Sequence, residues 1–347
     1  MPTSKPFQLT VLNFGGRDPL QEFPEGAGSP EDPGHAPVNF HAYAACTRGL
    51  FADRVYARFT AGTPVLLLLR RDLKACERAL RQLLGAGCRV SVSLKETGSS
   101  QVAALLAKPG MLEQLRAILA LAHGAIAATP DLVPFYRGLL PPGRDPACVQ
   151  FIPTPYPVGE PGWDLSQPLT ERRGLFIGTR EFETPSRGHL AALTAVLPLA
   201  RELNTPVTVF NTDGGLGAKM LAALDYPAGL LKIHTGRRAY PDYLRELAQH
   251  RLVFQFDASH VPGQVAGDAL LTGLPCLGGN GAVDTLAFPD LCGGPHSATD
   301  LLALTRRLLT DDDFHAAEVV KSRRFTEECL AFPVVAQLLE AYFAALN

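Results

Sequence analysis

Short apolar runs alternate with amphipathic stretches along most of this 347-residue chain. Residues 7–14 (FQLTVLNF) and 64–69 (PVLLLL) read as strands, the second apolar enough to be covered on both faces. Residues 73–85 place Leu73, Cys76, Leu80, Leu83 and Leu84 at helical spacing, which predicts an amphipathic helix. A strand at 89–94, helices near 101–106 and 111–122, and strands at 125–128 and 149–153 continue the alternation. After a proline- and glycine-rich stretch at 153–168 it resumes, with a strand at 174–178, a helix at 190–203 and strands at 207–211 and 230–234. A helix at 240–250, a strand at 252–256, a helix at 265–272, a strand at 274–277 and a last helix at 332–346 complete the pattern. Strands separated by helices predict parallel sheets with crossover connections. The interrupting stretch predicts a boundary between two α/β halves. Residues 15–37, rich in Gly, Pro and acidic side chains, read as a long irregular loop of the kind that often faces a ligand.

Composition narrows the class without naming it. The length suffices for two domains with separate cores. A formal net charge of −2 gives no general attraction to nucleic acid or to an anionic membrane. Seven scattered cysteines, without any C-x-x-C pair, predict free thiols in a reducing compartment rather than a zinc site or a disulfide framework. No secretory leader opens the sequence, and its apolar runs are too short to span a bilayer. A cytoplasmic protein is the expectation.

Residues 251–289 hold the densest signal: a strand, a polar turn with Pro262 and Gly263, a short helix closed by Gly273, a second strand, and Gly278, Gly279 and Gly281. Ligands of open α/β sheets sit beyond the carboxyl ends of the strands, where such loops lie. This stretch resembles the donor-binding region of GT-B glycosyltransferases, family 4-like in particular. Their pattern is an acidic residue, a Phe-Gly turn, a second acidic residue eight positions on, then Ala-x-x-x-Gly-x-Pro-Val. Gly263, Asp268, Ala269, Gly273 and Pro275 fall in register with it, with His260 at the first acidic position and Asp268 in place of the usual glutamate.

The resemblance implies two Rossmann-like doubly wound domains facing each other across a cleft. It places an acceptor-side domain at 1–155, a nucleotide-sugar domain at 169–330, and a terminal helix at 331–347 that packs back on the first domain. It further implies that Asp268 holds the ribose hydroxyls, that His260 bonds a sugar hydroxyl or phosphate, and that Gly263, Gly279, Asn280 and Gly281 approach the donor. In the segment 178–189 (GTREFETPSRGH), Arg180 and Arg187 with Gly188 match the cations that neutralise the departing diphosphate. Solvated loop arginines would leave the same trace.

In the first half, Asn13, Gly15 and Gly16 end the first strand, where this fold brings a loop to the donor phosphates. The spacing is not the dinucleotide fingerprint. Arg17 and Asp18 are candidates for the acceptor side, whereas His123 reads as a core residue and His41 has no register. No H-E-x-x-H, G-x-S-x-G, P-loop or clustered metal ligands occur. The expected reaction is transfer of a sugar from a nucleoside-diphosphate sugar to an unidentified acceptor, without cofactor or metal, and with retention on the strength of the resemblance alone. The alternatives are a repurposed glycosyltransferase-like binding protein and a nucleotide-sugar epimerase.

Overall fold

The computed structural model describes residues 6–32, 36–178, 182 and 184–346. It divides into two compact units, Met1–Pro157 with Leu330–Asn347, and Val158–Cys329.

The first unit contains β1 (Thr10–Leu12), β2 (Gln21–Glu22), α1 (Phe40–Cys46), β3 (Leu50–Ala52), β4 (Pro64–Leu69), α2 (Leu73–Gly85) and β5 (Arg89–Leu94). It continues with α3 (Ser99–Leu106), α4 (Met111–Leu121), β6 (Gly124–Ala127), α5 (Leu132–Arg137) and β7 (Val149–Phe151). These strands form a seven-stranded sheet in the order β2-β3-β1-β4-β5-β6-β7, parallel except for β2 against β3. The continuous apolar run of β4 is explained by burial on both faces, with Val65, Leu66, Leu67 and Leu68 wholly inaccessible. Against it lies the Leu73, Cys76, Leu80 and Leu83 stripe of α2, whose start is capped by the Asp72 carboxylate accepting from Ala75 N at 2.9 Å. Each leucine so buried contributes about 2 kcal/mol.

The second unit contains β8 (Leu175–Ile177), α6 (His189–Glu202), β9 (Val207–Asn211), α7 (Gly214–Ala222), β10 (Leu231–Thr235), α8 (Tyr240–Ala248) and β11 (Leu252–Phe254). Then follow α9 (Gln264–Leu271), β12 (Cys276–Leu277), α10 (Ala282–Ala287), α11 (Ala298–Thr310) and α12 (Asp312–Cys329). Its sheet is parallel, in the order β10-β9-β8-β11-β12. The last helix, α13 (Phe332–Ala345), belongs to the first unit: Tyr156 N donates to Leu330 O at 2.9 Å, and the Tyr342 hydroxyl lies 2.8 Å from Ser91 Oγ.

The first strand is shorter than its apolar run predicts, because the Leu9 N–H is taken by the Thr47 hydroxyl at 3.1 Å. Within the predicted irregular loop, Gln21 and Glu22 pair with β3. His123 lies in the turn after α4; its Nδ1 accepts from Val90 N at 3.1 Å, and burial lowers its pKa. No described helix is long and apolar enough to cross a membrane.

Candidate functional site

In the second unit the strand order reverses between β8 and β11, so the crevice beyond their carboxyl ends is the expected ligand position. Gly178 follows β8, and a Cβ there would come within 2.5 Å of Val265 Cγ1 and 2.8 Å of Val253 Cγ1. Only glycine lets the first turn of α9 close over the end of β8. That helix starts at Gly263, whose φ of +97° suits glycine, and ends in a Schellman cap. There Gly273, at φ +63°, donates to Leu270 O at 3.2 Å, and Leu274 N donates to Ala269 O at 2.9 Å. Both ends of α9 are thus set by glycines recognisable in the sequence.

Asp268 sits one turn into α9, fully buried, with Oδ1 accepting the Tyr240 hydroxyl at 2.5 Å. The amides of Gln264 and Val265 belong to the helix start that intrahelical bonding leaves open. His260, exposed on the preceding loop, has φ +51° and donates its N–H to Asn280 Oδ1 at 3.1 Å. A left-handed residue other than glycine costs on the order of 1 kcal/mol, and the polar loop around it supplies the compensating bonds.

Arg187 closes a single 3-10 turn, Pro185–Arg187. Its Nη1 donates to Asp257 Oδ2 at 2.6 Å and to Ser259 Oγ at 3.2 Å. Asp257 in turn accepts Ser259 N at 2.9 Å and the Ser259 hydroxyl. The expected phosphate-binding cation is therefore already neutralised by a carboxylate, with which any phosphate must compete. Arg180 lies outside the described residues.

The glycine loop differs from expectation in what its amides do. Asn280 N donates to Asp257 O at 3.0 Å and Gly281 N to Asp284 Oδ2 at 3.2 Å, so both are engaged within the unit. A Cβ on Gly279 or Gly281 would run into the Asp284 carboxyl, which makes packing around that group the reason for both glycines.

Asp284, which sequence reasoning missed, is wholly buried among Gln255, whose Nε2 donates at 2.8 Å, and the Cys276 thiol at 3.9 Å. Burial, and then the negative charge of Asp257, push its pKa up to about 7. The folded protein therefore keeps a proton that the unfolded chain has released. This contribution to stability is complete below the ordinary carboxylate range and is lost as pH rises through about 7. Relative to Asp284→Asn, the melting temperature of the native protein is expected to fall by about 5 °C between about pH 5 and about pH 8, read by calorimetry. Equal slopes for the two proteins would refute the assignment.

In the first unit, Gly16 N donates to Asn13 O at 2.8 Å, beyond the end of β1. Asn13 Nδ2 donates to Asp18 Oδ2 at 2.7 Å, and Asn13 Oδ1 accepts Arg70 Nη1 at 3.3 Å. Gly16, Asp18 and Arg70 thus meet where this sheet too reverses its order, between β1 and β4. His41 instead stacks on Phe51 with ring centroids 3.6 Å apart, a packing role.

Solved structures share the fold of this chain over most of its length. Anabaena HepE, crystallised with UDP-glucose, matches with a TM-score of 0.61 at 13% identity, covering 98% of this chain and 100% of that one. Sucrose-phosphate synthase from Thermosynechococcus elongatus matches at 0.57 and 15% identity, over 97% and 100% of the two chains. A UDP-forming α,α-trehalose-phosphate synthase from Burkholderia xenovorans matches at 0.61 and 12% identity, over 81% and 73%. The chain has the GT-B fold.

No protein-family profile and no curated protein matches the sequence. Within the GT-B frame, the structure brings His260, Gly263, Asn280 and Gly281 onto neighbouring loops of one unit, with Arg187 joined to them through Asp257 and Asp268 inside α9, bonded to Tyr240. Gly16 belongs to the other unit. Beyond Asp284, sequence reasoning missed Asp257, Gln255 and Tyr240. Asp257 and Gln255 carry one usable signal, polar side chains placed directly after a buried strand.

Proposed function

We propose that this protein is a glycosyltransferase whose second unit binds a nucleoside-diphosphate sugar, UDP-glucose being the first donor to test. The observation that carries the reading is Asp268. It is a carboxylate with no exposed surface, one turn into the helix that opens onto the strand-reversal point, on a fold shared along its length with a UDP-glucose complex. An ionised carboxylate accepts hydrogen bonds only, which suits it to the paired hydroxyls of a ribose as it suits it to the Tyr240 hydroxyl.

In the reaction, the bond between the sugar C1 and the β-phosphate oxygen breaks and its electron pair leaves with the diphosphate. The acceptor hydroxyl oxygen bonds C1 and passes its proton to the departing diphosphate oxygen. Arg187, exchanging Asp257 for phosphate, and Arg180 neutralise the leaving charge together with the α9 amides. His260 bonds a sugar hydroxyl. Retention of configuration, independence of a metal and a place in the cytoplasm complete the proposal; they rest on the resemblance, on the motifs and on composition.

Calorimetric titration with UDP and UDP-glucose tests the reading. Saturable binding is expected, several-fold tighter in Asp257→Asn, where Arg187 no longer has a competing anion. Absence of binding by UDP, GDP, ADP and their glucose esters overturns it. The neutralised Arg187 and the histidine at the first acidic position favour one alternative, a repurposed binding protein. That reading is distinguished by UDP-glucose binding without UDP release against any acceptor mixture.

A further inference from the structure

A cavity of about 330 Å³ opens in the second unit behind α9, away from the start of that helix. Its walls are apolar, formed by Trp163, Leu169, Leu271, Leu274, Val319 and Val320. Cavities of about 300 Å³ and more, largely apolar with a few placed polar groups, are the form that small-molecule sites take.

Polar side chains also line it, among them Asp164, His315 and Arg323, and the one cation buried in its wall is Arg172, with 4% exposure. It donates to Gln167 O at 2.8 Å, Gly273 O at 2.6 Å and Thr272 O at 3.1 Å. Those carbonyls at the end of α9 hold the side chain in place and offset part of its charge. Among the described residues no carboxylate forms an ion pair with it. The neighbouring charges are already matched, Arg323 with Asp164 at 3.4 Å and Arg251 with Asp312 at 2.6 Å. Burial is the main cause lowering the Arg172 pKa to about 10, followed by the charge of Arg251, while the Asp164 carboxylate acts in the opposite direction.

We propose that this cavity binds a small amphipathic anion, an aliphatic or aromatic carboxylate, with its carboxylate on Arg172 and its apolar body against Trp163, Leu271 and Val319. The anion gives Arg172 the paired carboxylate that Asp164, bonded to Arg323, does not provide, and the chain supplies the apolar wall that a free inorganic anion could not use.

Trp163 is the only tryptophan of the chain, so its emission reports on this cavity alone. Titration of the full-length protein with decanoate, below its micellar concentration, is expected to change that emission saturably. Decanoate should bind about tenfold more tightly than 1-decanol or decyltrimethylammonium, the worth of one charge-assisted hydrogen bond. Arg172→Gln should erase the preference. Should that variant fail to fold, Ala316→Phe, which fills the cavity from an exposed position on α12, should abolish the change at an unaltered melting temperature. No saturable change, equal binding of the three probes, or undiminished binding in Ala316→Phe overturns the proposal. None of these readouts depends on nucleotide binding, so failure here is separate from failure of the donor-site reading.

Discussion

Asp268→Ala is expected to weaken UDP binding by about 100-fold, and Asp268→Asn by about tenfold. These are the losses that follow from removing two hydrogen bonds to a charged acceptor, or from neutralising it. Asn keeps the shape and can still accept the Tyr240 hydroxyl, which lies 2.5 Å from Asp268 Oδ1. The Ala variant leaves that hydroxyl without its acceptor and should also melt earlier. The two effects are separated by the nucleotide rather than by the protein. If Asp268 holds the ribose, the native protein prefers UDP over 2′-deoxy-UDP, and Asp268→Asn loses that preference even where its stability is unchanged. Unaltered discrimination in Asp268→Asn would remove the residue from the site and leave it a structural partner of Tyr240.

The second large effect concerns stability. Gly188 precedes α6 with φ +57°, and an added Cβ would overlap the Phe256 carbonyl oxygen and lie 2.9 Å from Phe256 Cβ. The left-handed conformation alone costs an alanine about 1 kcal/mol. The overlap is with backbone just after β11, which cannot swing aside as a side-chain tip would. Gly188→Ala is therefore expected to cost about 3 kcal/mol and to lower the melting temperature by about 6–12 °C. Gly214 provides the control, since its φ is +56° but nothing lies within 4 Å of its virtual Cβ. Gly214→Ala should show the conformational cost by itself. Equal losses in the two variants would mean that the Phe256 contact is relieved at no cost.

The regular elements were legible because their causes are local. The stretch 64–69 was legible as a strand because an apolar run of six residues is too short for a typical helix and is bounded by turn formers. The bounds of α2 were legible from the helical spacing of Leu73, Cys76, Leu80, Leu83 and Leu84. Two long helices escaped, Ala298–Thr310 and Asp312–Cys329, the second of which buries only His315, Ser322 and Thr326 and so shows no apolar stripe; the other omissions were short. Leu50–Ala52 and Phe40–Cys46 are too brief to show a period, and they exist because β1 and α13 offer them partners. The resemblance carried by Gly263, Asp268, Gly273 and Pro275 located the candidate site for a similar reason. Glycines that must adopt positive φ at both ends of one helix, as Gly263 and Gly273 do, are visible as residue types.

The sequence by itself determined the alternation of strand and helix, the parallel sheets it requires, and the glycines that bound α9, because those depend on neighbours a few positions apart. Only the tertiary structure decided the charge state of the site. Arg187 and Asp257 stand 70 positions apart, and Arg172 and the Gly273 carbonyl 101. Whether a guanidinium is free, matched or stranded, and whether the Asp284 carboxyl keeps its proton, depends on burial and on distances of a few ångströms between segments that no local pattern relates.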